Sequence, residues 1–182
     1  MKTIRKIALP IWAASALACG GSDGSDGSGP NDQPTPQTDV PAALQGAWYH
    51  GEVSPSNFYD PTTGHWDGSY GDGLFYSLTA DGHYSFGYRL YTSAYGCTNV
   101  VFFWKTGTVS VDPVTRSFTV YPHEARMKSE DNCRSEWNYE KNIGKDPETI
   151  YWEFGKDDWG GDALLLKYAN TDASAFYPWN TD

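Results

Sequence analysis

Cys97 and Cys133 are the residues of this 182-residue chain best suited to forming a covalent bond with each other. A disulfide between them would close a loop of about 37 residues, worth roughly 3–4 kcal/mol in the chain-entropy model. The alternative is a pair of buried free thiols. Other chemistry finds little footing. His50, His65, His83 and His123 show no His-x-x-x-His or Glu-containing zinc spacing. Asp60, Asp67 and Asp72, or Asp157, Asp158 and Asp162, offer oxygens of the kind calcium takes, but neither set has EF-hand spacing. Glu136 and Glu153 are carboxylates of the type that hydrolyse glycosides, yet nothing selects them over their neighbours. There is no Gly-x-Ser-x-Gly elbow and no glycine-rich phosphate loop. The expectation is a chain with no catalytic residue, no metal and no cofactor.

Cys19 has a different setting. Lys2, Arg5 and Lys6 precede a twelve-residue, mostly apolar run over residues 7–18, which ends in Ala16-Leu17-Ala18. This is the layout of a secretory signal, with the cut after Ala18. The run is too short to cross a bilayer, which takes about 20 residues, and it contains Pro10. A cysteine directly after the cut resembles the lipobox of bacterial lipoproteins, with Ala16 and Leu17 in the reverse of that family's usual order. The resemblance implies a mature chain beginning at an acylated Cys19, held at a membrane outside the cytoplasm. Gly20 in place of Asp is compatible with delivery to an outer membrane. A soluble secreted protein cut at the same bond is the alternative. Three cysteines is an odd number for an exported chain. Lipidation of Cys19 would leave Cys97 and Cys133 to pair, as an oxidising compartment favours.

Residues 19–43 are rich in Gly, Ser, Asp and Pro and contain no aromatic residue. Such a segment buries too little apolar surface to offset its ordering entropy, so a disordered tether is expected. Residues 44–182 have the length of one domain. The chain holds 13 Tyr, 8 Phe and 8 Trp, all but Trp12 lying after Leu44. It carries 13 basic and 23 acidic residues, a formal charge of −10, and loss of the signal takes this to −13. That charge excludes electrostatic binding to nucleic acid or anionic lipid. Membrane contact is expected through lipidated Cys19 alone.

Aromatic and β-branched residues suit pleated, half-buried strands, and no long stretch shows a helical period. Strands are expected over residues 46–53, 73–79 and 83–91, with Asp81-Gly82 as a tight turn between the last two. Tyr84, Phe86, Tyr88 and Leu90 alternate against His83, Ser85, Gly87 and Arg89. Residues 98–104 are continuously apolar, which predicts a strand buried on both faces. Further strands are expected over 106–111, 116–121 and 133–140, the last turning Trp137 and Tyr139 inward. Ile150, Trp152 and Phe154, then Leu164, Leu166 and Tyr168, alternate in the final two. The expected class is all-β, an antiparallel up-and-down barrel of eight or nine strands, with a two-sheet sandwich as the alternative. Closure of a barrel removes exposed strand edges.

Gly46-Ala47-Trp48-Tyr49 resembles the Gly-x-Trp-Tyr opening of lipocalins, at the start of the first strand as in that family. The resemblance implies a calycin-type barrel whose Trp48 closes one end against a basic residue near the last strand. Lys167 is the basic residue there, and its alternation points it outward. A small apolar or aromatic ligand is the expected partner, with Trp48, Tyr84, Phe86, Tyr88, Trp137, Tyr139 and Trp152 as interior candidates. The long loop over residues 54–72 carries Phe58, Tyr59, His65, Trp66 and Tyr70. Such a loop either folds back as a lid or presents Trp66 and Tyr70 to a ligand. The competing readings are a filled barrel acting as a surface adhesion or carbohydrate-binding module, and an enzyme on the same barrel.

Overall fold

The computed structural model describes residues 35–56, 58–66 and 71–179, all within the unit Pro34–Asp182. The signal segment, Cys19 and Tyr70 lie outside the described residues. Among the described residues there are eleven strands: β1 (Gly46–Gly51), β2 (Tyr59–Asp60), β3 (His65–Trp66), β4 (Gly73–Leu78), β5 (His83–Ala94), β6 (Cys97–Asp112), β7 (Ser117–Asp131), β8 (Tyr139–Asn142), β9 (Glu148–Lys156), β10 (Asp162–Tyr168) and β11 (Ser174–Pro178). Eight of them run β6-β5-β4-β1-β11-β10-β9-β7, and β7 pairs back onto β6. Every pairing is antiparallel, so the ring is a closed up-and-down barrel, consistent with a lipocalin-like fold, and not an open sandwich. β8 is an extra strand on the upper part of β7.

Strand register decides what fills the barrel. One ladder row runs Trp48, Tyr76, Phe86, Lys105 and Ala125 across β1, β4, β5, β6 and β7. The row below it holds Leu78, Tyr84 and Gly107, and the row above holds Leu74, Tyr88, Phe103 and Met127. These rows face inward, and β9 to β11 add Ile150, Trp152, Leu164, Leu166 and Phe176. A bulge at His123 changes the inward phase of β7 from Phe118 and Val120 to Ala125 and Met127. Pro122 stands beside it, in one of the few strand positions that tolerates a missing N–H.

Residues 35–44 close the lower end. The Thr38 N–H donates to Val109 O and the Val40 N–H to Ala80 O. Gly82 has φ of 81°, and a Cβ there would stand 2.4 Å from Thr38 O, so both the turn and the strap require glycine. A 3-10 turn, Ala42–Leu44, then plugs the barrel with Leu44, which is fully buried. The ordered barrel unit therefore reaches into the expected linker 19–43. The reason is that Val40, the linker's aliphatic residue, finds a buried seat at 3% exposure.

Other expectations are corrected. Residues 98–104 and 106–111 form one strand, β6, because Lys105 continues the ladder instead of breaking it. Residues 133–140 are not one strand. A 3-10 turn, Ser135–Trp137, precedes the short β8, and Trp137 is 46% exposed under Arg134, 4.3 Å from its ring centroid. β11 was not anticipated, yet its pairing with β1 completes the ring. Of the two readings of the loop over residues 54–72, the ligand platform is overturned at Trp66, and the described residues instead fold back as a cover. Phe58, Tyr59 and Trp66 pack with Phe75, Phe102 and Trp104 as a second core on the outer face of β4 to β6. The apolar run of β6 is thereby buried on its outer face, where Phe102 and Trp104 are 3% and 7% exposed, whereas Val101 and Phe103 on the inner face stay half-buried, against the expectation of burial on both faces.

Candidate functional site

The two halves of the barrel interior differ. In the lower half, Leu44, Leu78, Val109, Phe118, Val120, Ile150, Leu164 and Phe176 are at most 3% exposed, a filled core. Above them the inward-facing Leu74, Phe86, Tyr88, Phe103 and Met127 are only half-buried. The reason is strand length. β5, β6, β7 and β8 rise past the ends of β1 and β10 as a tongue, so the inner faces near its base look onto solvent. Tyr88 and Phe103 stack there at 5.7 Å between centroids and 20° between planes. Higher up, Leu90 and Tyr139 reach 38% and 40% exposure. Tyr139 thus keeps the inward phase expected of it, opposite Ser129, but above the closed ring.

A polar group lies at the floor of this open end. Lys105 crosses from β6 to pair with Glu148 on β9, the lysine side chain being 15% exposed. The hydroxyls of Tyr76 and Tyr168 hydrogen-bond at 2.5 Å. Burial raises the phenol pKa of Tyr76, Tyr84 and Tyr168, and the negative charge of Glu148 pushes each the same way. The Tyr84 hydroxyl is buried without a hydrogen-bond partner. Lys105, Phe103, Glu148 and Tyr168 escaped the sequence reading as site residues. The available signal was the odd-numbered phase of Val109 and Val111, which places Lys105 and Phe103 on the same inner face.

At the opposite end lies a cleft of about 470 Å³, lined by Trp48, Phe154, Lys156, Ala163 and Pro178 among others. The Trp48 indole N–H donates to Leu44 O at 3.0 Å, which fixes the ring at the plugged end. Phe154 is 50% exposed and stands 5.9 Å from Trp48 between ring centroids. Trp48 meets Phe154 where the lipocalin resemblance implied a basic residue. Lys156 and Asp162 pair at 2.6 Å on the rim, and Lys167 is exposed on the outer phase.

The structure thus brings Phe86 and Tyr88 together inside the upper barrel, holds Tyr84 in the buried row beneath them beside Leu78, and sets Trp48 and Trp152 toward the lower end. Trp137 is at the surface and Trp66 is in the outer core. The disulfide joins Cys97 on the tongue to Cys133, with Cα atoms 5.5 Å apart. The loop acids shape turns. Asp157 accepts from the N–H groups of Trp159 and Gly161 and from the Tyr177 hydroxyl, and these bonds lower its pKa. Asp60 does the same for Thr62 and Thr63. Among the described residues, no three His, Cys, Asp or Glu side chains gather as a metal site would require. No known family, curated protein or solved structure matches this chain.

Proposed function

We propose that this chain is an extracytoplasmic lipoprotein, acylated at Cys19, whose lipocalin-like barrel takes a small, flat apolar ligand at its open end. One observation carries the reading. The stacked Tyr88 and Phe103, with Leu74 and Met127 in the same ladder row, form a half-buried apolar ring above the Lys105–Glu148 pair. Pockets for small molecules combine apolar walls with a few placed polar groups in this way. The filled lower half restricts the ligand to a shallow, flat one.

A binding role is favoured over a catalytic one, because the open end sets apolar walls over a single neutral ion pair, the make-up of a small-molecule pocket. The membrane anchor rests on the leader and on Cys19. Cys19→Ser should release the protein from the envelope, and continued membrane association would remove the lipid anchor from this reading.

A second reading places the ligand in the cleft at the plugged end, favoured by the exposure of Phe154 beside Trp48. Equilibrium dialysis against naphthalene separates the two. If the mouth binds, Phe103→Ala weakens binding by about tenfold or more and Phe154→Ala leaves it unchanged. The reverse pattern assigns binding to the cleft.

A further inference from the structure

We infer that the mouth ligand is a neutral planar molecule bearing a hydrogen-bonding oxygen, which it sets against the Tyr84 hydroxyl beside the Lys105–Glu148 pair, an inference that rests on the mouth reading above. Tyr84 is 2% exposed and its hydroxyl has no hydrogen-bond partner. Buried polar groups are as a rule paired, because leaving one unpaired sacrifices its hydration without return. The surrounding polar atoms do not serve it. The Tyr76 and Tyr168 hydroxyls bond to each other, and the Lys105 ammonium is held by Glu148. The backbone carbonyl of Tyr84 is bonded by the Thr106 hydroxyl, so the residue's main chain is satisfied and its side-chain tip is not.

Charge sets the ligand's class. Lys105 and Glu148 together are neutral, so a carboxylate or ammonium brought to them would add an uncompensated charge in a poorly hydrated place. A hydroxyl or carbonyl adds none. It can accept from the Tyr84 hydroxyl. Shape sets the rest. Phe86, Tyr88 and Phe103 present aromatic walls on adjacent rows, and the near-parallel Tyr88 and Phe103 rings favour a flat body. The competing occupant is an ordered water held by the Tyr84 hydroxyl.

Equilibrium dialysis of the full mature chain against naphthalene, naphthol, naphthoate and naphthylmethylammonium tests this. Naphthol should bind about fivefold tighter than naphthalene, the yield of one net hydrogen bond, and both charged probes should bind more weakly than naphthol. Tyr84→Phe removes only the hydroxyl. It should equalise naphthol and naphthalene while leaving naphthalene affinity unchanged. Glu148→Gln frees the Lys105 charge and should improve naphthoate about fivefold or more relative to naphthalene. A naphthol preference that survives Tyr84→Phe, or none in the wild type, means an ordered water only and overturns the inference. So does tighter binding of a charged probe by the wild type, or no gain for naphthoate in Glu148→Gln. Naphthalene bound without preference sinks this inference alone, whereas failure of all four probes sinks the mouth reading with it.

Discussion

The ring of Phe58 lies on Gly87, so closely that a Cβ on Gly87 would stand 2.9 Å from Phe58 Cδ1 and 2.2 Å from Phe75 Cε1. The missing side chain on β5 is the seat for the loop that covers the outer face. Gly87→Ala therefore overpacks this outer core and should destabilise the protein by about 1–3 kcal/mol. Urea denaturation measures it, and an unchanged midpoint would mean that the loop does not sit on β5.

Trp66 has the same consequence from the other side. It is 6% exposed, 5.6 Å from Phe102 and 4.4 Å from Tyr59 between ring centroids. Trp66→Ala should cost about 3–5 kcal/mol, the usual loss for a buried aromatic. Thermal stability within about 1 kcal/mol of the wild type would instead place Trp66 in solvent, free to meet a ligand.

The buried phenols give the barrel an alkaline limit. Tyr76 and Tyr84, each 2% exposed, have pKa values raised above the ordinary 10.0, first by burial. Folded phenols that hold their protons longer than unfolded ones contribute stability that is complete below pH 10 and falls as pH rises beyond it. The urea midpoint should be level up to about pH 9 and then decline. Tyr84→Phe should make the decline shallower, because one fewer phenol is linked to folding. A midpoint as steeply pH-dependent in Tyr84→Phe as in the wild type would contradict this.

The disulfide staples the tongue above the closed ring. Cys97 begins β6 and Cys133 follows β7, with a sequence separation of 36 residues. Reduction should lower stability by roughly 3–4 kcal/mol and leave the far-ultraviolet spectrum of the barrel intact. Collapse of that spectrum at 25 °C would show that ring closure depends on the staple.

Period-2 alternation carries the barrel in the sequence, and it does so most clearly in β5, where Tyr84, Phe86 and Tyr88 do face inward. It fails where a strand departs from the pattern for a local reason. Lys105 is charged, so a strand break is expected at the residue that in fact crosses the interior to Glu148. Trp137 alternates with its neighbours, but a 3-10 turn takes it out of the ladder. β11 is only five residues long and lies after a Thr-Asp stretch, leaving too few alternations to register as a strand. The outer core was legible in half. A run of apolar residues on β6 demands cover on both faces, and the nearest aromatic-rich segment without a strand assignment was the loop that supplies it. Pleat phase cannot show which end of the interior stays open. That depends on the unequal lengths of β5 to β8 against β1 and β10, which emerge only from the pairing.

Native mass spectrometry of the mature protein, purified from its own cell envelope, tests the central claim most directly. The account predicts a non-covalent mass of a small molecule that departs on denaturation and is missing from Phe103→Ala. A bare protein mass for the wild type, at protein concentrations where native ligands of about micromolar affinity persist, would contradict a ligand in the barrel mouth.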